Sequence, residues 1–171
     1  MTTANTFRAA LTLALVGSAI TIGDIAQARG VVHGGRNGNG GTAVAGPRGA
    51  AASGHTTTKN ADGSTTVNST GGFAGTNGSR GYRQSSTTVG TDGSVSRTGS
   101  ANASGVNGSA QTSGGFSRAA DGTWSGSRST SATNANTGNS YSGSTSIDPA
   151  TGKPVHTGTC TNASGVSAPC R

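Results

Sequence analysis

Residues 86–99, STTVGTDGSVSRTG, hold the pattern that decides the fold: a Thr-rich run, an Asp-Gly pair, then a second Ser/Thr-rich run. Thr and Val favour extended backbone. Asp-Gly between two such runs is a strong hairpin signal, because a type I′ turn needs positive φ at both central positions. Residues 56–71 (TTTKNADGSTTVNSTG) repeat the theme closely, and residues 114–128 and 141–157 repeat it loosely.

Working outward, the turn pairs are evenly spaced. Asp62-Gly63, Asn77-Gly78, Asp92-Gly93, Asn107-Gly108 and Asp121-Gly122 follow one another at 15, 15, 15 and 14 residues, and Thr137-Gly138 and Thr151-Gly152 continue at 16 and 14. Fixed spacing is the mark of a repeat architecture. It leaves up to about 13 residues per strand, roughly 40 Å of extended chain. The expectation is an all-β fold: an elongated antiparallel β-meander of hairpin repeats with about 15 residues per strand plus turn, polar on both faces, after a disordered N-terminal arm. The large apolar residues (Val67, Phe73, Tyr82, Val89, Val95, Phe116, Trp124, Tyr141, Ile147, Val155) show no fixed phase relative to the turns.

Composition leaves a largely disordered chain as the alternative. Residues 29–171 hold 29 Gly, 23 Ser and 22 Thr, more than half of that stretch, with no Leu, Met or Glu. Val, Ile and Phe number 12 of 143, far under the roughly 20% below which disorder is expected. Ordering costs about 1–2 kcal/mol per residue, so this little apolar surface cannot build an ordinary globular core.

The organisation reads in three parts. Residues 1–28 look like a cleavable secretory signal: Arg8, a 14-residue apolar run from Ala9 to Ile22, then Ala26-Gln27-Ala28. The cleavage point falls between Ala28 and Arg29. A membrane-spanning helix needs about 20 apolar residues, and Asp24 closes this run too early. Residues 29–54 (RGVVHGGRNGNGGTAVAGPRGAAASG) read as a Gly-rich flexible arm. Residues 55–171 are the hairpin region, closed by Cys160 and Cys170. In an exported chain, two cysteines this close read as one structural disulfide. An outer-membrane barrel is set aside because stretches such as Ser125–Thr133 (SGSRSTSAT) offer nothing to lipid.

Catalytic chemistry finds little purchase. Four Asp are the only acidic residues after the signal, and three already serve turns. His33, His55 and His156 are far apart in sequence, and no nucleophile elbow, P-loop or clustered Cys/His spacing occurs. No catalytic, metal or cofactor site is assigned, and the chain is not read as an enzyme. Eleven Lys and Arg against four Asp leave residues 29–171 at +7, which favours salt-sensitive contact with polyanions.

With the export signal, the Asp-Gly hairpins and the ending TCTNASG…PC in view, the chain resembles a group of uncharacterised exported bacterial proteins rich in Gly, Ser and Thr. It also looks superficially like curli-type amyloid subunits, but their regularly placed Gln is replaced here by Gln84 and Gln111 alone after the signal. The export signal, the even turn spacing and the missing core together point to a noncatalytic structural or interaction protein, secreted, periplasmic or at the cell surface. Its partners would be copies of itself, or envelope and matrix polymers. A cationic binder of nucleic acid or anionic glycan is the alternative.

Overall fold

The computed structural model describes residues 30–36 and 38–170. They form one open antiparallel sheet whose eleven strands follow chain order from edge to edge. The strands are β1 (Gly30–Arg36), β2 (Asn39–Gly46), β3 (Gly49–Lys59), β4 (Thr65–Gly75), β5 (Arg80–Val89), β6 (Val95–Gly105), β7 (Gly108–Arg118), β8 (Trp124–Asn134), β9 (Ser140–Ile147), β10 (Pro154–Thr161) and β11 (Ser167–Ala168). Substantial contacts run only between strands adjacent in sequence, and β1 and β11 remain unjoined edges. The all-β meander of hairpins is therefore the fold. Among the described residues no helix is long and apolar enough to cross a membrane.

The turns are built differently from the expected type I′ pairs. In the Asn60–Ser64 loop the Gly63 amide donates to the Asn60 carbonyl (3.0 Å), and the Asn60 amide donates to the Ser64 carbonyl (2.9 Å). The central residues of the turn are thus Ala61 and Asp62, with Gly63 following at φ +83°. This is a type I turn closed by a glycine bulge. Loops 90–94, 119–123, 75–79 and 162–166 repeat the same two backbone bonds. The acid or amide before the glycine adds a third bond: Asp62 Oδ1 accepts from the Ser64 amide (2.9 Å), and Asp92 Oδ1 from the Ser94 amide (2.9 Å). Asp121 accepts from Thr123 and Asn77 from Ser79 in the same way. Asn107-Gly108 is the exception among the expected turns. There Val106 and Asn107 form the loop, and Gly108 already pairs with Gly105 as a strand residue.

Two longer loops are also copies. At Asn134–Asn139 the Gly138 amide donates to the Asn134 carbonyl (2.8 Å), and at Asp148–Lys153 the Gly152 amide donates to the Asp148 carbonyl (2.8 Å).

The Gly-rich arm expected over residues 29–54 is corrected by β1, β2 and the first half of β3, which occupy residues 30–54 apart from two short loops. This stretch lacks polar/apolar alternation because both of its faces carry small residues. Ala43 (5% exposed) and Ala52 (9%) are the most buried apolar side chains described. Nearby Gly54 and Gly71 are buried too. No large side chain among the described residues is fully buried, so no second layer or core orders these strands. Backbone ladders do, helped by hydroxyl pairs directly opposite one another: Thr66–Thr88 (3.0 Å), Thr112–Thr130 (3.0 Å), Ser117–Ser125 (2.8 Å) and Ser144–Thr157 (2.9 Å). Each such pair contributes about 0.2–1 kcal/mol.

Cys160 and Cys170 are joined, with Cα atoms 5.4 Å apart. The bridge ties the chain end to β10 where β11 contributes only two paired residues.

The Asp loops give the sheet a defined acid response. Hydrogen bonds from Ser64 (its hydroxyl first, then its amide) hold the Asp62 carboxyl below its ordinary value, and Ser94 does the same for Asp92. Asp121 is lowered by the Thr123 amide and hydroxyl, and Asp148 by the Ala150 amide and the Thr151 hydroxyl. A depressed folded value means the unfolded chain binds protons first. The contribution is therefore complete above about pH 3.9 and is lost as pH falls through the folded values. Stability is expected to be flat from pH 8 to 5 in these terms and to drop below about pH 4. The Asp loops have Asn-bearing twins, Asn77 at the place of Asp62, Asp92 and Asp121, and Asn134 at the place of Asp148. Replacing Asp62, Asp92, Asp121 and Asp148 together by Asn is thus expected to leave stability at neutral pH nearly unchanged and to flatten the acid limb. Thermal melts across pH, followed by circular dichroism, read both.

Candidate functional site

The register assigns every strand residue to one of two faces, since directly opposite residues point the same way. Lys59, Val67, Phe73, Arg83, Val89, Val95, Arg97, Phe116, Arg118, Trp124, Arg128, Tyr141 and Ile147 all fall on one face. We call it the cationic face. The opposite face carries, on β6, Ser96, Thr98, Ser100, Asn102 and Ser104; on β8, Ser125, Ser127, Ser129, Ser131 and Thr133; and on β9, Ser140, Ser142, Ser144 and Ser146. Apart from Tyr82, Arg80 and Val155 (and Gly115), its positions from β5 onward are Ser, Thr, Asn and Gln. The expectation of two polar faces is therefore corrected: one face is a hydroxyl surface, the other is basic and aromatic.

Among the described residues, carboxylates are kept off both. Asp62, Asp92, Asp121 and Asp148 all sit in loops at one end of the sheet. The Asn77 and Asn107 loops lie at the other end, as does the disulfide. Among the described side chains, five cations (Lys59, Arg83, Arg97, Arg118, Arg128) share the cationic face, against Arg80 on the hydroxyl face. The expected turn residues all lie at the two ends of the sheet, Gly108 as the first residue of β7. The cleavage point at Ala28 and Arg29 lies outside the described residues.

Glycines let the rings lie down on the sheet. A side chain at Gly81 would collide with the Phe73 ring, whose Cζ is 3.0 Å from where its Cβ would stand. Tyr141 covers Gly143 and Gly158 in the same way. The Tyr141 hydroxyl then meets His156 Nε2 at 3.0 Å, and Thr145 meets His156 Nδ1 at 2.9 Å. Phe73 and Trp124 remain 41% and 48% exposed with nothing over them. Arg97 reaches back to Thr87 (3.5 Å) and Ser85 (3.3 Å). Between these groups the small residues Ala101, Ala103 and Ala110 floor a shallow groove of about 530 Å³, with Phe73 and Arg83 on its wall.

No family model, curated protein or solved structure matches this chain. The site is accordingly read from its own residues. Among those described, no three His, Cys, Asp or Glu side chains gather to hold a metal ion. His55 and His156 share a face but stand on β3 and β10, seven strands apart. The arrangement can attract anions, stack flat rings and hydrogen-bond a hydroxylated surface.

The grouping of arginines by face goes beyond the net charge of +7 that composition shows. The signal that would have found it is parity from the loops. Positions three and five residues either side of Asp62, Asp92 and Asp121 all belong to the cationic face, and they include Lys59, Val67, Val89, Val95, Arg97, Phe116, Arg118 and Trp124.

Proposed function

We propose that this is a noncatalytic structural or interaction protein that works outside the cytoplasm by presenting the two unlike faces of an open sheet to envelope or matrix polymers, or to copies of itself. The observation that carries this reading is a sheet one layer thick with both faces left open and no large side chain fully buried among the described residues. A surface this extensive without a core makes sense for contact and not for enclosing a substrate. Residues 1–28, read as an export signal, support work outside the cytoplasm, and the Cys160–Cys170 bridge fits an oxidising compartment.

A second reading has its own support. The gathering of Arg83, Arg97, Arg118 and Arg128 on one face favours a cationic binder of extracellular polyanions, such as nucleic acid or anionic glycan.

The test is fractionation of a bacterial culture producing the full chain. The exported form is expected to begin at Arg29 and to sediment with envelope or matrix, with salt near 1 M releasing the part held by charge. A monomer found free in the medium, attached to neither cells nor matrix, would sink the proposal.

A further inference from the structure

We propose that the cationic face binds single-stranded nucleic acid, arginines on the phosphates and neighbouring rings stacked on the bases. This rests on the polyanion reading above and names its partner.

Charge comes first. Five cations occupy the face, every described carboxylate is confined to loops, and the other face is hydroxylic. Such separation favours an extended polyanion lying across the strands. The second feature is what each arginine has beside it. Arg97 stands directly opposite Phe116, and Arg118 directly opposite Trp124. Arg83 lies diagonal to Phe73, and Arg128 diagonal to Phe116. The repeating element is thus a cation with a flat ring about 5–8 Å away.

A polymer that satisfies both must repeat an anion and a flat π-face, which is what a nucleotide offers. Basic surfaces carrying exposed aromatic rings bind single strands in this manner, tolerant of sequence because every base has a π-face. A duplex keeps its bases stacked inside and could offer this face only its phosphates. A sulfated glycan would satisfy the arginines and find no use for planar stacking. The exposed Phe73 and Trp124 rings, uncovered by any second layer, supply the apolar surface that stacking would bury.

Trp124 is the chain's sole tryptophan, so the face carries its own reporter. The full chain, disulfide intact, is titrated with oligothymidine of about 20 nucleotides, an abasic oligomer of equal length, and heparin, at about 50 and 200 mM salt. Oligothymidine is expected to quench Trp124 emission and to bind at least ~10-fold more tightly at the lower salt. The abasic oligomer should bind at least ~10-fold more weakly. Replacing Arg83, Arg97, Arg118 and Arg128 by Ser is expected to weaken binding of labelled oligothymidine by at least ~100-fold. A four-Lys version, which keeps the charge, should retain part of that loss, and the Tyr82→Ser variant on the hydroxyl face should bind as the parent does. Equal affinity for heparin or for the abasic oligomer, with Trp124 unquenched, would overturn the stacking proposal and leave a general polyanion binder. No binding to any of the three, in a chain that still sediments with the envelope, would overturn it while leaving the structural role standing.

Discussion

Replacing Ser100 by proline is expected to split the unfolding of this protein into two transitions. Ser100 is the midpoint of β6, the central strand, and pairs with Gln84 on one side and Ser113 on the other. Proline has no amide hydrogen to give the ladder and is tolerated in sheets only at edges or bulges. In a sandwich, a second layer would hold a damaged strand in place. Here each strand packs mainly on its sequence neighbours, so the defect uncouples β1–β5 from β7–β11. The lost bond and its orphaned carbonyl cost roughly 2–4 kcal/mol. Loss of coupling should also lower the slope of unfolding against denaturant, because each half exposes less surface. Circular dichroism against urea reads both quantities. An unchanged single transition would mean that something other than neighbouring strands holds β6.

The second large effect is expected at Gly108. Its φ is +143°, and a Cβ there would run into the carbonyl oxygen of Thr133 on β8. Gly108→Val therefore combines a backbone conformation that β-branched residues avoid with a collision against backbone that cannot move aside. Strain of this kind costs about 1–3 kcal/mol before the collision is counted, so a total above about 3 kcal/mol is expected. Gly78→Ala separates the two causes. Gly78 also has positive φ (+81°), yet nothing lies within 4 Å of its would-be Cβ. That change should cost only about 1 kcal/mol. If both variants lost the same stability, the collision at Thr133 would not be the cause.

Much of the fold was legible in the residues. The recurrence of Asp-Gly, Asn-Gly and Thr-Gly marked the seven connections from β3 to β10 and missed the 162–166 loop before β11, and Cys160 and Cys170 pair as their close spacing implies. What was misread traces to a single residue per loop. A two-residue type I′ turn at Asp92-Gly93 would place Val89 opposite Ser96, putting Val89 and Val95 on different faces. The bulged loop instead opposes Val89 to Val95. One residue of slip exchanges the faces of a strand, so the apolar residues show no fixed phase under type I′ turns although eight of the ten large ones keep one side. Residues 30–54 failed for another reason. Ala and Gly carry little strand propensity, and β1–β3 take their order from the neighbouring ladder, which no local pattern announces. The site depended on the same parity and was hidden with it.

Because each strand leans mainly on the one before and the one after, the sheet also has a mechanical character. A load applied at the two chain ends pulls on β1 at one edge and on β10–β11 at the other, so hydrogen bonds are opened a few at a time as each outer strand peels away. Every hairpin unit of about 15 residues released this way adds roughly 50 Å of contour, and the strands behind it stay paired. The Cys160–Cys170 bridge keeps its own short loop from contributing. A chain fixed to a surface at one end and to a polymer at the other would lengthen in steps under tension and re-form when the tension drops.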